Sequence, residues 1–360
     1  MILKEHSGYK FVELYVGMGK LVAWWHQFAL GFELKGKRIQ KGMFGEEITY
    51  WLQQGKANLL ITSAMEPAAH DVVSFVDRHG NSIKRFAVSV ENIELAFEHA
   101  KKHQAIFLSS IEHIAVQDEQ AKIFRVKLFD DNEIMYVESS NTFGPLPGFM
   151  PINETQTVTE NHIQGIDHLA SVVRMNESNY WNQYMANNLA LTHIQTIGEE
   201  FFANLLTGMK MNVFSSQIAK INKVIVEPLP DKSKKSQVDV FLQHNLGTGI
   251  QHLAFEVDDL ISVVSKFKEK GIQFNPVPEA YYEELLKEMP ELPIEQMKEN
   301  GILCEKDDDK LLLQVFTEPI GDRPTLFYEF VQRVNDYDGF GAKNVHQLFK
   351  SLEVQLNGNN

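Results

Sequence analysis

The hexad Gly165-Ile166-Asp167-His168-Leu169-Ala170 returns, with one change, as Gly249-Ile250-Gln251-His252-Leu253-Ala254. Self-similarity at this spacing marks a chain built from repeated supersecondary units, none of which buries its apolar face alone. Each copy continues with the apolar alternation of a half-buried strand, and a helical stretch follows each. After the second copy, residues 259–270 bring Leu260, Val263, Val264 and Phe267 onto one helical face. Weaker copies lie earlier. The run from Lys84 to Ile93 aligns with that from Gln251 to Leu260, and Tyr9-Lys10-Phe11-Val12 aligns with Ile166-Asp167-His168-Leu169. The histidine positions of the second half therefore carry Phe11 and Arg85 in the first.

Between the halves lies Gly144-Pro145-Leu146-Pro147-Gly148-Phe149-Met150-Pro151, dense enough in chain breakers to read as a linker, with the polar run 153–160 extending it. The expected division is 1–150 and 151–360. Late in each half comes a strand pair. Lys122–Phe129 and Glu133–Glu138 flank an Asp-Asp-Asn turn, and Lys310–Thr317 and Thr325–Gln332 flank a Pro319–Pro324 loop. A terminal helix is expected from Asn344, with Val345, Leu348, Phe349 and Leu352 on one face. Repeated units of one strand, one helix and further strands, with mixed connections, give an α+β fold whose curved sheet faces an open cavity.

The formal charge of −14 argues against binding to nucleic acid or an anionic membrane, which needs a basic face. A small anionic substrate answers to local charge and stays open. The single cysteine, Cys304, fits a reducing compartment. No secretory pattern opens the chain, and no apolar run is long enough to span a bilayer. A cytoplasmic enzyme is the default expectation.

Two histidines at one position of duplicated strands, absent from the other two copies, are hard to explain by packing, although most of the 13 histidines need only a structural or solvated role. His26, His70, His79, His99 and His103 are read that way. Glu329 is an acid in an otherwise apolar strand (Leu326, Phe327, Tyr328, Phe330, Val331), and a buried acid needs partners. Two imidazoles and one carboxylate suit a facial triad, which leaves three metal positions open and is typical of Fe(II) oxygenases. Rigid strands hold such ligands better than loops do.

The chain resembles the 4-hydroxyphenylpyruvate dioxygenase and 4-hydroxymandelate synthase family of the vicinal oxygen chelate superfamily, most closely the synthases. The resemblance rests on the two hexads, on Gln314-Val315-Phe316-Thr317-Glu318-Pro319, on the run Asp322-Arg323-Pro324-Thr325 through Glu329, and on Gly339-Phe340-Gly341-Ala342-Lys343-Asn344. It implies tandem βαβββ units forming two open-barrel domains. The N-terminal one is metal-free; the C-terminal one is catalytic and carries a capping helix over 339–354. It implies Fe(II) on His168, His252 and Glu329, O2 as co-substrate, and 4-hydroxyphenylpyruvate as a substrate that supplies its own keto acid. The branches share oxidative decarboxylation. The dioxygenases then form homogentisate, and the synthases hydroxylate the benzylic carbon to (S)-4-hydroxymandelate. Assembly stays open between a homodimer and a homotetramer.

Several pocket positions depart from the dioxygenase pattern. Val345 follows Asn344 where the dioxygenases place phenylalanine. Val224 and Val226 replace proline and asparagine, and Met211 stands where a serine is usual. The synthases similarly carry an aliphatic residue at the helix position and lose the asparagine. A smaller residue at 345 lets the ring swing aside and brings the benzylic carbon forward, which favours the synthase outcome over the dioxygenase one. Gln237 and Gln314 match pocket glutamines, and Phe316 and Phe340 match aromatics that sandwich the ring. A metal-free binding protein and a different metal enzyme on this scaffold are the competing classes.

Overall fold

The computed structural model describes residues 2–42, 45–140, 142–152, 161–203, 205–230 and 232–346. Each sequence repeat becomes a βαβββ unit. The first is β1 (Tyr9–Tyr15), α1 (Gly19–Leu30), β2 (Glu33–Lys41), β3 (Glu46–Gln54) and β4 (Ala57–Ala64). Helix α2 (His70–His79) leads to the second, with β5 (Ser82–Ser89), α3 (Ile93–Lys102), β6 (Glu112–Val116), β7 (Glu119–Leu128) and β8 (Asn132–Ser140). Strand β9 (Met150–Pro151) precedes the third unit: β10 (Ile163–Val172), α4 (Ser178–Leu189), β11 (Thr192–Ile197), β12 (Met209–Ser216) and β13 (Ile221–Pro228). After α5 (Gln237–His244) comes the fourth, with β14 (Gly249–Val257), α6 (Leu260–Glu269), two inserted helices α7 (Glu279–Glu288) and α8 (Ile294–Asn300), then β15 (Leu303–Asp307), β16 (Lys310–Phe316) and β17 (Phe327–Val334). The expected face of α6 is buried, and the Asp259 carboxylate caps it by accepting from the Ser262 N–H.

The two sheets have matching orders, β6-β7-β8-β5-β1-β4-β3-β2-β9 and β11-β12-β13-β10-β14-β17-β16-β15. At the centre of each, the first strands of two units pair antiparallel, and each also pairs parallel with its own unit's last strand. The alignment read from the sequence is exact in register. Phe11 lies opposite Ala87 as His168 lies opposite Ala254, and Arg85 lies opposite Glu13 as His252 lies opposite Ala170. A bulge precedes each of these four positions, at Lys10, Lys84, Asp167 and Gln251.

One face of each sheet carries α1, α3, α4 and α6, and the largest apolar core joins these faces from both halves (Leu14, Ile61 and Phe86 with Leu169, Phe255 and Tyr328), whereas α2 and α5 pack in separate clusters on the other faces. The halves therefore share a core rather than owning one each. The concave faces are lined separately. In the first half, Phe11, Ala87 and Met135 pack with Leu146 and Phe149, so the proline-rich segment is not a bare linker: it fills that concavity, and its end pairs with β2. Beside this plug, buried Arg85 is held by Glu13 (Nη1–Oε2 3.0 Å) and Glu133 (Nε–Oε2 3.0 Å). The polar run 153–160 lies outside the described residues. Among the described residues no helix is long and apolar enough to cross a membrane.

Polar contacts also join the halves. His26 of α1, buried, donates from Nδ1 to the Val22 carbonyl (2.7 Å) and accepts from the Tyr328 hydroxyl at Nε2 (2.6 Å). Arg323 donates to the carbonyls of Arg78 (2.6 Å) and Asp77 (2.9 Å) at the end of α2, where a cation suits the helix dipole. Burial pushes His26 down to about 4 from 6.5, only partly offset by its bond to Val22. A base whose folded value is depressed stabilises the fold above the unfolded value and loses that contribution as pH falls. Between pH 6.5 and 4 the wild-type chain should therefore lose on the order of 3 kcal/mol more stability than His26→Gln. Urea unfolding across this range checks it; parallel pH profiles would refute it.

Candidate metal centre

His168, His252 and Glu329 sit on the neighbouring strands β10, β14 and β17, near the middle of the second sheet. His168 and Glu329 share one ladder row with Ala254 between them, and His252 lies two residues earlier on the intervening strand. All three face the concave side. The two alanines opposite the histidines, Ala170 and Ala254, are small enough to leave the donors room. One ligand atom from each residue falls within 4.8 Å of the others. Glu329 Oε2 is 3.2 Å from His168 Nε2 and 3.3 Å from His252 Nε2. Donors bonded at right angles to one ion at about 2.1 Å stand about 3 Å apart, so the spacing and the N,N,O chemistry fit a facial triad.

The bulges set the rings. Asp167 and Gln251, the one position at which the hexads differ, are the bulged residues, and a bulge re-aims the side chains beside it. The His168 Nδ1–H donates to Asp167 Oδ1 (2.7 Å), and the His252 Nδ1–H reaches Gln251 Oε1 at a longer 3.4 Å. Each bond fixes the tautomer that turns Nε2 toward the shared carboxylate. Asp167 is itself gripped by Arg333, whose Nε donates to Oδ2 (2.6 Å) and Nη2 to Oδ1 (2.9 Å). On the far side, Asp167, Arg333 and Phe340 help to wall a cleft of about 680 Å³.

These contacts order the charges. Burial opposes ionisation of Glu329, but His168, by charge and hydrogen bond, and then His252 outweigh it and bring the carboxyl down to about 2. Burial likewise disfavours a charged His168, yet Glu329 and the Asp167 hydrogen bond raise it to about 9. His252 is shifted down by burial, with Glu329 opposing. Asp167 lies well below the usual carboxylate range because Arg333 outweighs burial.

The expected pocket residues divide. Met211, Val224 and Val226 share one apolar cluster with Ala170, Val172, Phe202 and Phe241, and Phe340 and Val345 pack against it. Met211 pairs with Val226, and Val224 lies opposite Ala170, beside the metal row. The rings of Phe340 and His168 meet T-shaped (5.6 Å between centroids), and Phe316 stands 6.2 Å from His252. Gln314 is buried and accepts from Asn344 Nδ2 (3.2 Å). Gln237 is different: it opens helix α5 with an exposed side chain, not a strand facing the cavity. The terminal helix begins at Ala342, two residues earlier than expected, and is described as far as His346. The positions expected on its face at 348, 349 and 352 lie outside the described residues. Sequence reasoning missed Asp167, Gln251 and Arg333. The available signals were an acid and an amide directly before the paired histidines, and an arginine four residues past Glu329.

Paired βαβββ units with two imidazoles and a carboxylate on one concave face define the vicinal oxygen chelate class, here with a dioxygenase-type centre. No family model matches the chain. It is 28% identical over 367 residues to a 4-hydroxyphenylpyruvate dioxygenase of Yarrowia lipolytica, covering 98% of this chain and 92% of that one. It is 27% identical to that of Sus scrofa over 362 residues, covering 97% and 91%. A substituted 4-hydroxymandelate synthase from Streptomyces coelicolor superposes with a TM-score of 0.84 at 26% identity, covering 99% of both chains. A fusion of a xylose isomerase-like TIM barrel with 4-hydroxyphenylpyruvate dioxygenase shares the fold, with a TM-score of 0.73 at 20% identity over 98% of this chain and 53% of that one. Over nearly its whole length the chain is similar to 4-hydroxyphenylpyruvate dioxygenases and to a 4-hydroxymandelate synthase, and it is an enzyme of the non-haem dioxygenase type.

A cation arriving at these donors displaces the proton that His168 holds below about 9. Adding Co(II) in weak buffer at pH 7.5 should release about one proton per ion bound, and the yield should fade as pH rises through about 9. A yield near zero at pH 7.5 would show that His168 is already neutral.

Proposed function

We propose that this chain is an Fe(II)-dependent 4-hydroxymandelate synthase. It would convert 4-hydroxyphenylpyruvate and O2 to (S)-4-hydroxymandelate and CO2, with His168, His252 and Glu329 holding the iron. The observation that carries this reading is the apolar cluster that gathers Met211, Val224, Val226 and Val345 beside the His168 row. Bound Fe(II) supplies a chelation site for the keto acid and the activation of O2. The protein's own part is positional. Phe340 and Phe316 flank the two histidines and offer faces or edges to a flat ring. Val345 packs against this cluster, and a larger side chain there would press the ring toward the metal. Ala342 and Val345 bring the terminal segment against the cluster and exclude water.

The second reading is 4-hydroxyphenylpyruvate dioxygenase, favoured by the names of the relatives of similar sequence. Product analysis separates the two. Protein supplied with Fe(II), ascorbate, O2 and 4-hydroxyphenylpyruvate should give hydroxymandelate as its main product by chromatography and mass spectrometry; homogentisate would support the second reading. Val345→Phe should shift the product ratio toward homogentisate by about tenfold, which corresponds to 1.4 kcal/mol between competing barriers.

The same cluster predicts weak selection for the phenol. A site selects strongly for a hydroxyl only when it pairs it, and Met211, Val224 and Val226 offer no such partner. Phenylpyruvate should therefore be turned over with kcat/KM within about tenfold of that for 4-hydroxyphenylpyruvate. A preference of a thousandfold for the phenol would mean that another group binds it.

A further inference from the structure

Arg333 serves two neighbours at once. Its Nε and Nη2 grip Asp167, the residue that orients His168. Its Nη1 donates to the carbonyls of Tyr337 (2.9 Å) and Gly339 (2.7 Å), and its guanidinium lies 4.9 Å from the Phe340 ring centroid. Those residues begin the segment that turns into the terminal helix. The segment is seated further along as well. Glu305 accepts from the Tyr337 hydroxyl (2.7 Å) and the Lys343 N–H (2.9 Å), Gln314 accepts from Asn344, and Gly341, at φ +72°, approaches Gln314 so closely that a Cβ there would collide with it.

We propose that Arg333 is a positioning residue that couples the metal centre to the covering segment 337–346. The proposal rests on the reading that His168, His252 and Glu329 hold a metal ion. If the guanidinium moves, Asp167 loses its fixed partner and His168 its orientation; in the same movement two carbonyls at the root of the segment lose their donor. A planar fork can serve a carboxylate on one edge and carbonyls at its other end, which the compact ammonium of lysine cannot do. Phe340 completes the circuit, with one face toward Arg333 and the ring in T-shaped contact with His168. Metal binding and seating of the segment then favour each other, because a coupling between two sites is reciprocal.

The test uses the full chain and Co(II), with d–d absorption reporting affinity and hydrogen exchange with mass spectrometry reporting on residues 335–346. In the wild type, Co(II) should slow exchange in that segment. In Arg333→Gln, Co(II) affinity should fall by about tenfold or more, and exchange should be faster and no longer respond to Co(II). Asp167→Asn separates the two functions: affinity should fall similarly, while the metal-free exchange of the segment stays at the wild-type rate, since the carbonyl bonds remain. If Arg333→Gln does not fold, Arg333→Lys, which keeps the charge and loses the fork, carries the same expectation. Unchanged Co(II) affinity or unchanged segment exchange in the folded Arg333 variant overturns the coupling while leaving the metal centre in place. A wild-type chain that takes up no Co(II) overturns the metal-centre reading and the coupling with it.

Discussion

Everything at this site hangs on the antiparallel pairing of β10 with β14. That ladder brings two copies of one hexad side by side, and two of its three register shifts fall at Asp167 and Gln251, directly before the histidines. A regular strand would send neighbouring side chains to opposite faces. The bulge instead lets an acid or an amide support the imidazole beside it. Glu329 then needs only to arrive on the next strand in the right row, which the parallel pairing of β17 with β14 provides.

The first half shows what the same frame does without metal ligands. Its bulges are in the same places, but Phe11 stands at the His168 position, Met135 at that of Glu329, and the concavity is filled by Leu146 and Phe149. At the His252 position is Arg85, a buried cation neutralised by Glu13 and Glu133. One half therefore satisfies its interior with a plug and a fixed charge. The other keeps a cup lined by Ala170, Val172, Val224 and Val226, with the terminal segment packed against it.

Much of this was legible in the sequence because it is written in repeats. The hexads led to the central strands, the helical spacing in 259–270 led to α6, and the misfit of Glu329 in an apolar strand led to the third donor. What escaped depends on contacts between residues distant in the chain. Arg333 gains meaning only beside Asp167, and Gln237, matched to a pocket residue by likeness, lies exposed at the start of a helix. Helices α7 and α8 interrupt the fourth unit where the other three copies have no counterpart. The shared core was hidden for a similar reason: apolar periodicity says which face of a strand is buried, not which half of the chain buries it.

The guanidinium of Arg85 has a consequence for how the two halves respond to their surroundings. It is a cation tethered by covalent bonds, so its occupancy cannot vary with concentration. A metal ion held by His168, His252 and Glu329 would instead obey mass action, and would stabilise the folded chain by an amount that grows with the logarithm of its free concentration. Because the two halves share one core, scarcity of such an ion would be felt by the whole chain, while Arg85 and its two glutamates keep their own contribution at any metal concentration.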